Sequence, residues 1–286
     1  MEPAEKPVMQ NSAEDWAGAM GERWLQHLER FEGMIAPVGQ ALMDRADIRA
    51  GERVIDVGCG GGGTSIEIAR RVGPTGSVVG IDVSAALTQA AQARAHAAAA
   101  RNLTFRCADA ATASVDGAPF TRLFSRFGLL FFSAPRAAFA NLHGWLLPGA
   151  RVDFSAWAPA RENLWIARAM EILGRFIALA PPVPRAPGPF ALDDPRYIEE
   201  LLAAGGFSGV QIEVWRGAQL VGGPGATAAE AATFLEEAMS IGALLEDAPR
   251  ETRAAITAEL TALFAAHRQA VGISMPASAY LVRARA

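Results

Sequence analysis

The sequence predicts an α/β protein whose sheet is mostly parallel and covered by helices on both faces. Three observations carry this. Short β-branched runs, RVIDVG (53–58), SVVGID (77–82) and LTFRCAD (103–109), end in glycine or aspartate. Stretches of helical spacing separate them. The first run enters a turn of four consecutive glycines, Gly60 to Gly63, just ahead of a helical segment.

Taken in order, Trp16, Met20, Trp24, Leu28 and Phe31 recur at steps of three or four and share one helical face. A second helix is expected from about Ala36 to Arg45. RVIDVG is a buried strand, and a helix follows from Gly63 to Val72, stopped by Gly73-Pro74. SVVGID is the second strand, with Ser84 as N-cap of a helix to about Ala99. LTFRCAD and TRLFSRFG (121–128) are the third and fourth strands. Ser133 is expected to cap a helix running to Leu146 and ended by Pro148-Gly149, before a fifth strand, RVDFSAW (151–157). Asp194 caps a helix with Pro195 in its first turn, and VQIEVW (210–215) and YLVRA (280–284) are late strands. Thr227 and Glu230 form a capping box opening two or three helices. Residues 1–50 are thus read as an N-terminal helical lid. Residues 51–286 are read as one domain with helical cap insertions at about 158–193 and 225–271.

Composition narrows the function. Of 286 residues, 51% are apolar and 20% charged, enough for a large core and too little charge for disorder. The net charge of −4 gives no electrostatic footprint for nucleic acid or an anionic membrane. Lys6 is the sole lysine, which nearly excludes a catalytic lysine. The N-terminus lacks the basic and apolar regions of a signal peptide, and the longest apolar runs fall short of the ~20 residues of a membrane span, so a cytoplasmic protein is expected. Cys59 and Cys107 are too few for a disulfide framework, and Cys107 reads as a buried strand residue. No metal-ligand spacing and no G-x-S-x-G elbow occurs.

The chemistry concentrates in Asp56-Val57-Gly58-Cys59-Gly60-Gly61-Gly62-Gly63-Thr64. In an open α/β sheet, ligands bind outside the carboxyl ends of the strands, and glycines let backbone approach them. Gly58, Gly60 and Gly63 fit the dinucleotide pattern G-x-G-x-x-G, while Gly58, Gly60 and Gly62 fit the D-x-G-x-G-x-G form of S-adenosylmethionine (SAM) binders. Asp56 would oppose a pyrophosphate but suits an ammonium group. Asp82 suits ribose hydroxyls, and Asp109 the amino group of an adenine. Three acidic residues at three successive strand ends favour a zwitterionic nucleoside without phosphate.

With these motifs on the page, residues about 51–157 resemble a class I SAM-dependent methyltransferase of the bacterial small-molecule type related to quinone-biosynthesis C-methyltransferases. The likeness runs through VIDVGCGGGGTS, VVGIDVS, FRCADA and LFSRFGLLFF…LLPGARVDFSAW, with AAGGFSGVQIE and YLVRARA in the tail. The resemblance implies a Rossmann-like seven-stranded sheet with an antiparallel last strand. It also implies SAM as cofactor, a small organic acceptor, and a cofactor site at Asp56, Gly58, Cys59, Gly60, Thr64, Asp82, Val83, Ala108, Asp109 and Ala110. Arg126 and Phe127 would face the reacting centre, and Arg126 either neutralises an anionic group or forms an ion pair at the sheet edge. Trp24 reads first as core and second as a face for the sulfonium. His27 and His267, in the two cover regions, are the base candidates beside Arg126, while His96 and His143 are expected to face solvent. Two other readings stay open: an NAD(P)-dependent oxidoreductase on the same crevice, and a non-catalytic SAM-binding protein. A homodimer is also left open, and the acceptor atom is not legible.

Overall fold

The computed structural model describes residues 13–239 and 241–286. The N-terminal residues in which no signal peptide is expected, together with Lys6, lie outside that range.

The core is a sheet of β1 (Arg53–Val57), β2 (Ser77–Asp82), β3 (Leu103–Cys107), β4 (Phe120–Arg126), β5 (Leu146–Trp157), β6 (Ser208–Val221), β7 (Arg268–Gln269) and β8 (Gly272–Arg285). Seven strands follow the order β3-β2-β1-β4-β5-β8-β6, and β7 is an eighth, two-residue strand paired with β8. The pairs β1/β2, β2/β3, β1/β4 and β4/β5 are parallel, and β8 runs antiparallel to both β5 and β6. The expected architecture is therefore present, with one short strand more than foreseen. Central β1 is buried on both faces from Val54 to Val57, as its largely apolar run requires. The exception is Asp56, which is itself buried.

The first helices are α1 (Ala13–Ala17), α2 (Ala19–Gln26) and α3 (Leu28–Ala46), followed by α4 (Gly63–Val72) and α5 (Ala85–Ala97). After β4 come α6 (Pro135–Gly144), α7 (Leu164–Leu173) and α8 (Pro195–Ala204). The late insertion holds α9 (Ala228–Ala238), α10 (Ile241–Leu245) and α11 (Arg250–Ala265). On β5, Asp153 points toward α3, where it meets Arg122, whereas its neighbour Phe154 points the other way, to Phe139 of α6. Because successive strand side chains alternate, α3 and α6 lie on opposite faces of the sheet.

Several sequence expectations are corrected. The helix expected to begin near Ala36 is the second half of α3, which passes through Pro37. One lost backbone bond there is outweighed by a buried stripe that includes Phe31, Met34, Val38 and Leu42. Ser133 does not cap α6; Ala134 holds the cap position without a side-chain bond, and Pro135 supplies the preset first turn. That helix stops at Gly144, and Pro148-Gly149 lie inside β5. They are tolerated because the β4/β5 register shifts between the Phe120 and Arg122 pairs, so these residues owe no ladder bond to β4. Strands β6 and β8 each run 14 residues, far beyond the short apolar runs that announced them. Cys107 is exposed, because β3 is an edge strand. His143 is half-buried, its ring 5.0 Å from that of Phe207.

The caps at Ser84, Asp194 and Thr227 hold as expected, each side chain accepting a backbone N–H of its helix. At the amino-terminal rim of the sheet, Arg122 is buried in a knot of charge. It donates to Glu52 (2.6 and 3.0 Å), to Asp153 Oδ2 (2.8 Å) and to the Ala46 carbonyl at the end of α3 (2.7 Å). Arg283 donates to the other Asp153 oxygen at 2.8 Å. Guanidinium groups at a helix C-terminus satisfy carbonyls the helix leaves open, and the knot pins α3 to the sheet. Among the described residues no helix is long and apolar enough to cross a membrane.

Candidate functional site

The opposite, carboxyl-terminal rim opens into a cavity of about 180 Å³. One water needs only ~10–15 Å³, so this space is large enough for an organic molecule. Its floor is the glycine turn after β1. Gly58 has φ +69°, and a Cβ there would lie 2.5 Å from the Gly128 Cα, so the turn touches the backbone that follows β4. Gly60 has φ +53°, and an added Cβ would point at the Trp24 indole nitrogen, 3.9 Å away. Side chains at either position would bring strain, and at Gly58 a clash as well.

Every cofactor residue expected from the sequence borders this cavity: Asp56, Gly58, Cys59, Gly60, Thr64, Asp82, Val83, Ala108, Asp109, Ala110, Arg126, Phe127 and Trp24. The three carboxylates differ in state. Asp56 is buried and accepts the Ser65 hydroxyl at 2.6 Å; burial, partly offset by that bond and by Arg126, pushes its pKa up to about 7. Asp82 accepts the Gly60 N–H (2.8 Å) and the Ser84 N–H (2.9 Å), while burial raises its pKa. It therefore shapes the glycine turn before it can meet any ligand, a task the sequence did not reveal. Asp109 accepts the Ala111 N–H at 2.9 Å and so orients the turn after β3. Burial also holds the Cys59 thiol well above its usual range, so it is no thiolate nucleophile.

Arg126 ends β4 and borders the cavity. Among the described residues its guanidinium has no hydrogen bond or ion pair, and a Cβ on Gly39 of α3 would sit 2.8 Å from its Cδ. Burial pulls its pKa below the usual value, against the attraction of Glu32 and Asp56. The ion pair considered for Arg126 is therefore not made within the described residues. Phe127 follows in a left-handed conformation (φ +62°) that a phenylalanine adopts only under constraint, and it stacks on Trp157 at 4.2 Å.

Aromatic rings form the walls. Phe131 meets Trp16 (4.9 Å between centroids), Trp16 meets Trp24 (5.3 Å), Trp24 stacks on Phe31 (3.8 Å), and Phe31 meets Phe234 of α9 (4.8 Å). The N-terminal helices and the late insertion thus meet through Phe31 and Phe234, and both contribute to the cavity lining. Trp24 is partly buried, packs against the core and also borders the cavity. His27 and His267 are not brought to the site: neither borders the cavity, and His27 instead sets its ring 5.9 Å from that of Phe234. Sequence reading missed Trp157, Trp165 and Gln219, which also line the cavity. Trp157, at the end of the fifth strand, was findable by the rule that placed Asp56 and Asp82; Gln219 carried no signal.

Residues 54–149 match a family described as a methyltransferase domain. Over 120 residues the chain is 30% identical to the aklanonic acid methyltransferase DauC of Streptomyces sp. strain C5, covering 42% of this chain and 54% of that protein. It spans about half the length of the curated relatives it matches first. The fold is similar over 98% of both chains to the [4+2]-cyclase SpnF, with a TM-score of 0.59 and 16% identity. It is also similar to phosphoethanolamine N-methyltransferase 2 of Haemonchus contortus in complex with S-adenosylhomocysteine (SAH), with a TM-score of 0.50 and 17% identity over 87% of this chain and 52% of that one. The structural likenesses show a Rossmann-like α/β fold, and the match to the methyltransferase-domain family is confined to residues 54–149.

Proposed function

We propose that this chain, with its methyltransferase domain at residues 54–149, transfers a methyl group from SAM to a small organic acceptor by in-line displacement. The observation that carries the reading is the rim itself. Asp56, Asp82 and Asp109 stand at or just past the carboxyl ends of three adjacent parallel strands, around a bare glycine turn and beside the unpartnered Arg126. A dinucleotide would bring a pyrophosphate against the Asp56 carboxylate, whereas a zwitterionic nucleoside meets charges of the right sign at both ends.

In this reading Asp82 accepts the ribose hydroxyls with the lone pairs its backbone bonds leave free, and Ala108, Asp109 and Ala110 flank the adenine. Gly58, Cys59, Gly60, Thr64 and Val83 line the rest of the nucleoside and its amino-acid chain. Asp56 faces the ammonium and Arg126 the carboxylate of that chain, and the Trp24 ring covers it. Bound there, SAM supplies a methyl carbon made electrophilic by the adjacent positive sulfur. The protein's own contribution is to hold the acceptor in line and exclude water, an orientation effect that reaches ~7–11 kcal/mol in favourable systems. The described part of the N-terminal segment and the segments about 158–193 and 225–271 act as the cover that does this, the first and last of them joined by the Phe31–Phe234 contact. No imidazole is placed to act as base, so the acceptor supplies its own nucleophilic form or loses its proton to solvent.

DauC is named for its action on aklanonic acid, which agrees with a small organic acceptor here. The fold shared with a cyclase means that architecture alone does not decide the reaction. Calorimetry decides the cofactor: SAH binds 1:1, Asp82→Ala weakens it at least tenfold, and NADH fluorescence is unchanged on mixing. Failure to bind either SAM or SAH would falsify the assignment. Methyl transfer to a panel of small metabolites separates an enzyme from a silent binder.

A further inference from the structure

Two deeply buried neutral polar groups that line the cavity have no partner among the described residues, and the indole N–H of the half-buried Trp16 is a third. Gln219 on β6 is 1% exposed and borders the cavity, and neither its Nε2 nor its Oε1 is hydrogen-bonded. Trp165 on α7 is 1% exposed and borders the same space, and its Nε1 is equally without a partner. Buried polar groups are nearly always satisfied, and a buried amide left with none of its bonds is a standing cost to the fold.

Their placement is a consequence of the long late strands. Trp157 of β5 and Trp215 of β6 both pair with Ala279, which sets them level at the rim, while Gln219 pairs with Met275, four residues farther along β6. At ~3.3 Å per residue, Gln219 stands about 13 Å beyond the rim, in the wall above the sheet. Trp165 is fixed by its neighbour Asn163, whose buried amide donates to the Ala158 carbonyl (2.9 Å) and accepts the Ser278 N–H (3.1 Å). The Trp165 ring lies 6.2 Å from Trp157, which stacks on Phe127. Met239, just past α9, borders the same cavity. The charged groups of the cavity belong instead to α3 (Glu32) and to the ends of the parallel strands, Asp56, Asp82, Asp109 and Arg126.

We infer that the part of the cavity around Gln219 and Trp165 is the acceptor subsite and that it takes a flat, uncharged aromatic molecule bearing a hydroxyl or hydroxy-carbonyl group, read by the Gln219 amide and the Trp165 indole N–H. The inference rests on the methyl-transfer reading for the word acceptor, and on the cavity alone for the chemistry. The amide offers donors and an acceptor, and the indole a donor only, so the complementary ligand group must both accept and donate. A hydroxyl does so, and a hydrocarbon does not. The flat walls select a planar body.

The test uses the full chain saturated with SAH, and two probes of like shape, 2-naphthol and 2-methylnaphthalene, titrated by tryptophan fluorescence. The wild type prefers 2-naphthol by at least tenfold, since a site built to hydrogen-bond a hydroxyl rejects the analogue lacking it. Gln219→Leu brings the two probes within threefold of each other. Trp165→Phe, which keeps the ring, lowers the preference by a smaller factor. In both variants SAH binds as in the wild type, and the melting temperature of Gln219→Leu is not lowered. A wild type without preference, or a preference that survives both substitutions, overturns the proposal. Loss of SAH binding by the wild type refutes the cofactor reading instead, and the naphthol preference measured without SAH still judges the subsite.

Discussion

Arg122 and Arg126 sit on the same strand, on the same face, four residues apart, both against α3, and they are opposites. The first makes four hydrogen bonds, to Glu52, Asp153 and the end of α3. The second, among the described residues, makes none and borders a cavity. The difference follows from which rim of the sheet each occupies. At the amino-terminal rim a buried charge has nothing to meet except the chain, so it persists only where the chain satisfies it. At the carboxyl-terminal rim, the backbone turns away into loops and helix starts and leaves polar groups facing open space. In the proposed reading, charge there meets a ligand, at the expense of stability.

The largest effect expected breaks the satisfied end. Arg122→Leu strips a partner from Asp153 and Glu52 and should cost ~3–5 kcal/mol in denaturant unfolding, with SAH affinity within threefold of wild type. An unchanged unfolding midpoint would erase the contrast. Next is Asp56, whose folded pKa of about 7 lies above the ~3.9 of an unfolded aspartate. Between those values the folded chain keeps a proton the unfolded chain has released. Its contribution is therefore fully present below about pH 4 and is lost as pH rises through 7, at up to ~1.4 kcal/mol per unit. The melting temperature should fall between pH 5 and 8, and Asp56→Asn should flatten that slope; a slope untouched by the substitution would show that other groups set it.

Arg126→Leu is the mirror of the first experiment. It should leave unfolding free energy equal or higher, because an unpaired, half-buried cation is removed, and weaken SAH at least tenfold, or ~1.4 kcal/mol. A stability loss as large as that of Arg122→Leu would place Arg126 with the structural charges. The smallest change is on the cover: Thr227→Ala deletes the capping box of α9 and should cost ~1 kcal/mol by thermal unfolding, with SAH affinity within twofold.

The parallel core was legible because its borders are backbone statements. Gly58 ends β1, Gly62 precedes α4, Ser84 caps α5, and each says what the chain must do there whatever packs around it. The rim carboxylates were legible for a related reason, since strand ends in this architecture are ligand positions. What stayed hidden depends on pairing at a distance. Pro148-Gly149 reads as a stop until the shifted β4/β5 register is known. Gly217 and Gln219 weaken the apolar signal of β6, yet its pairing with β8 carries it through Val221. His27 and His267 shared regions with the cover, but their side chains lie away from the cavity, which spacing does not reveal.

The most direct test is a crystal structure grown with SAH. The account predicts the nucleoside across the ends of β1 to β3, its ribose hydroxyls on Asp82, its adenine amino group at Asp109 and its carboxylate on Arg126. A rim with no density for SAH, with Asp82 and Asp109 bonded only to backbone and Arg126 still alone, would contradict it.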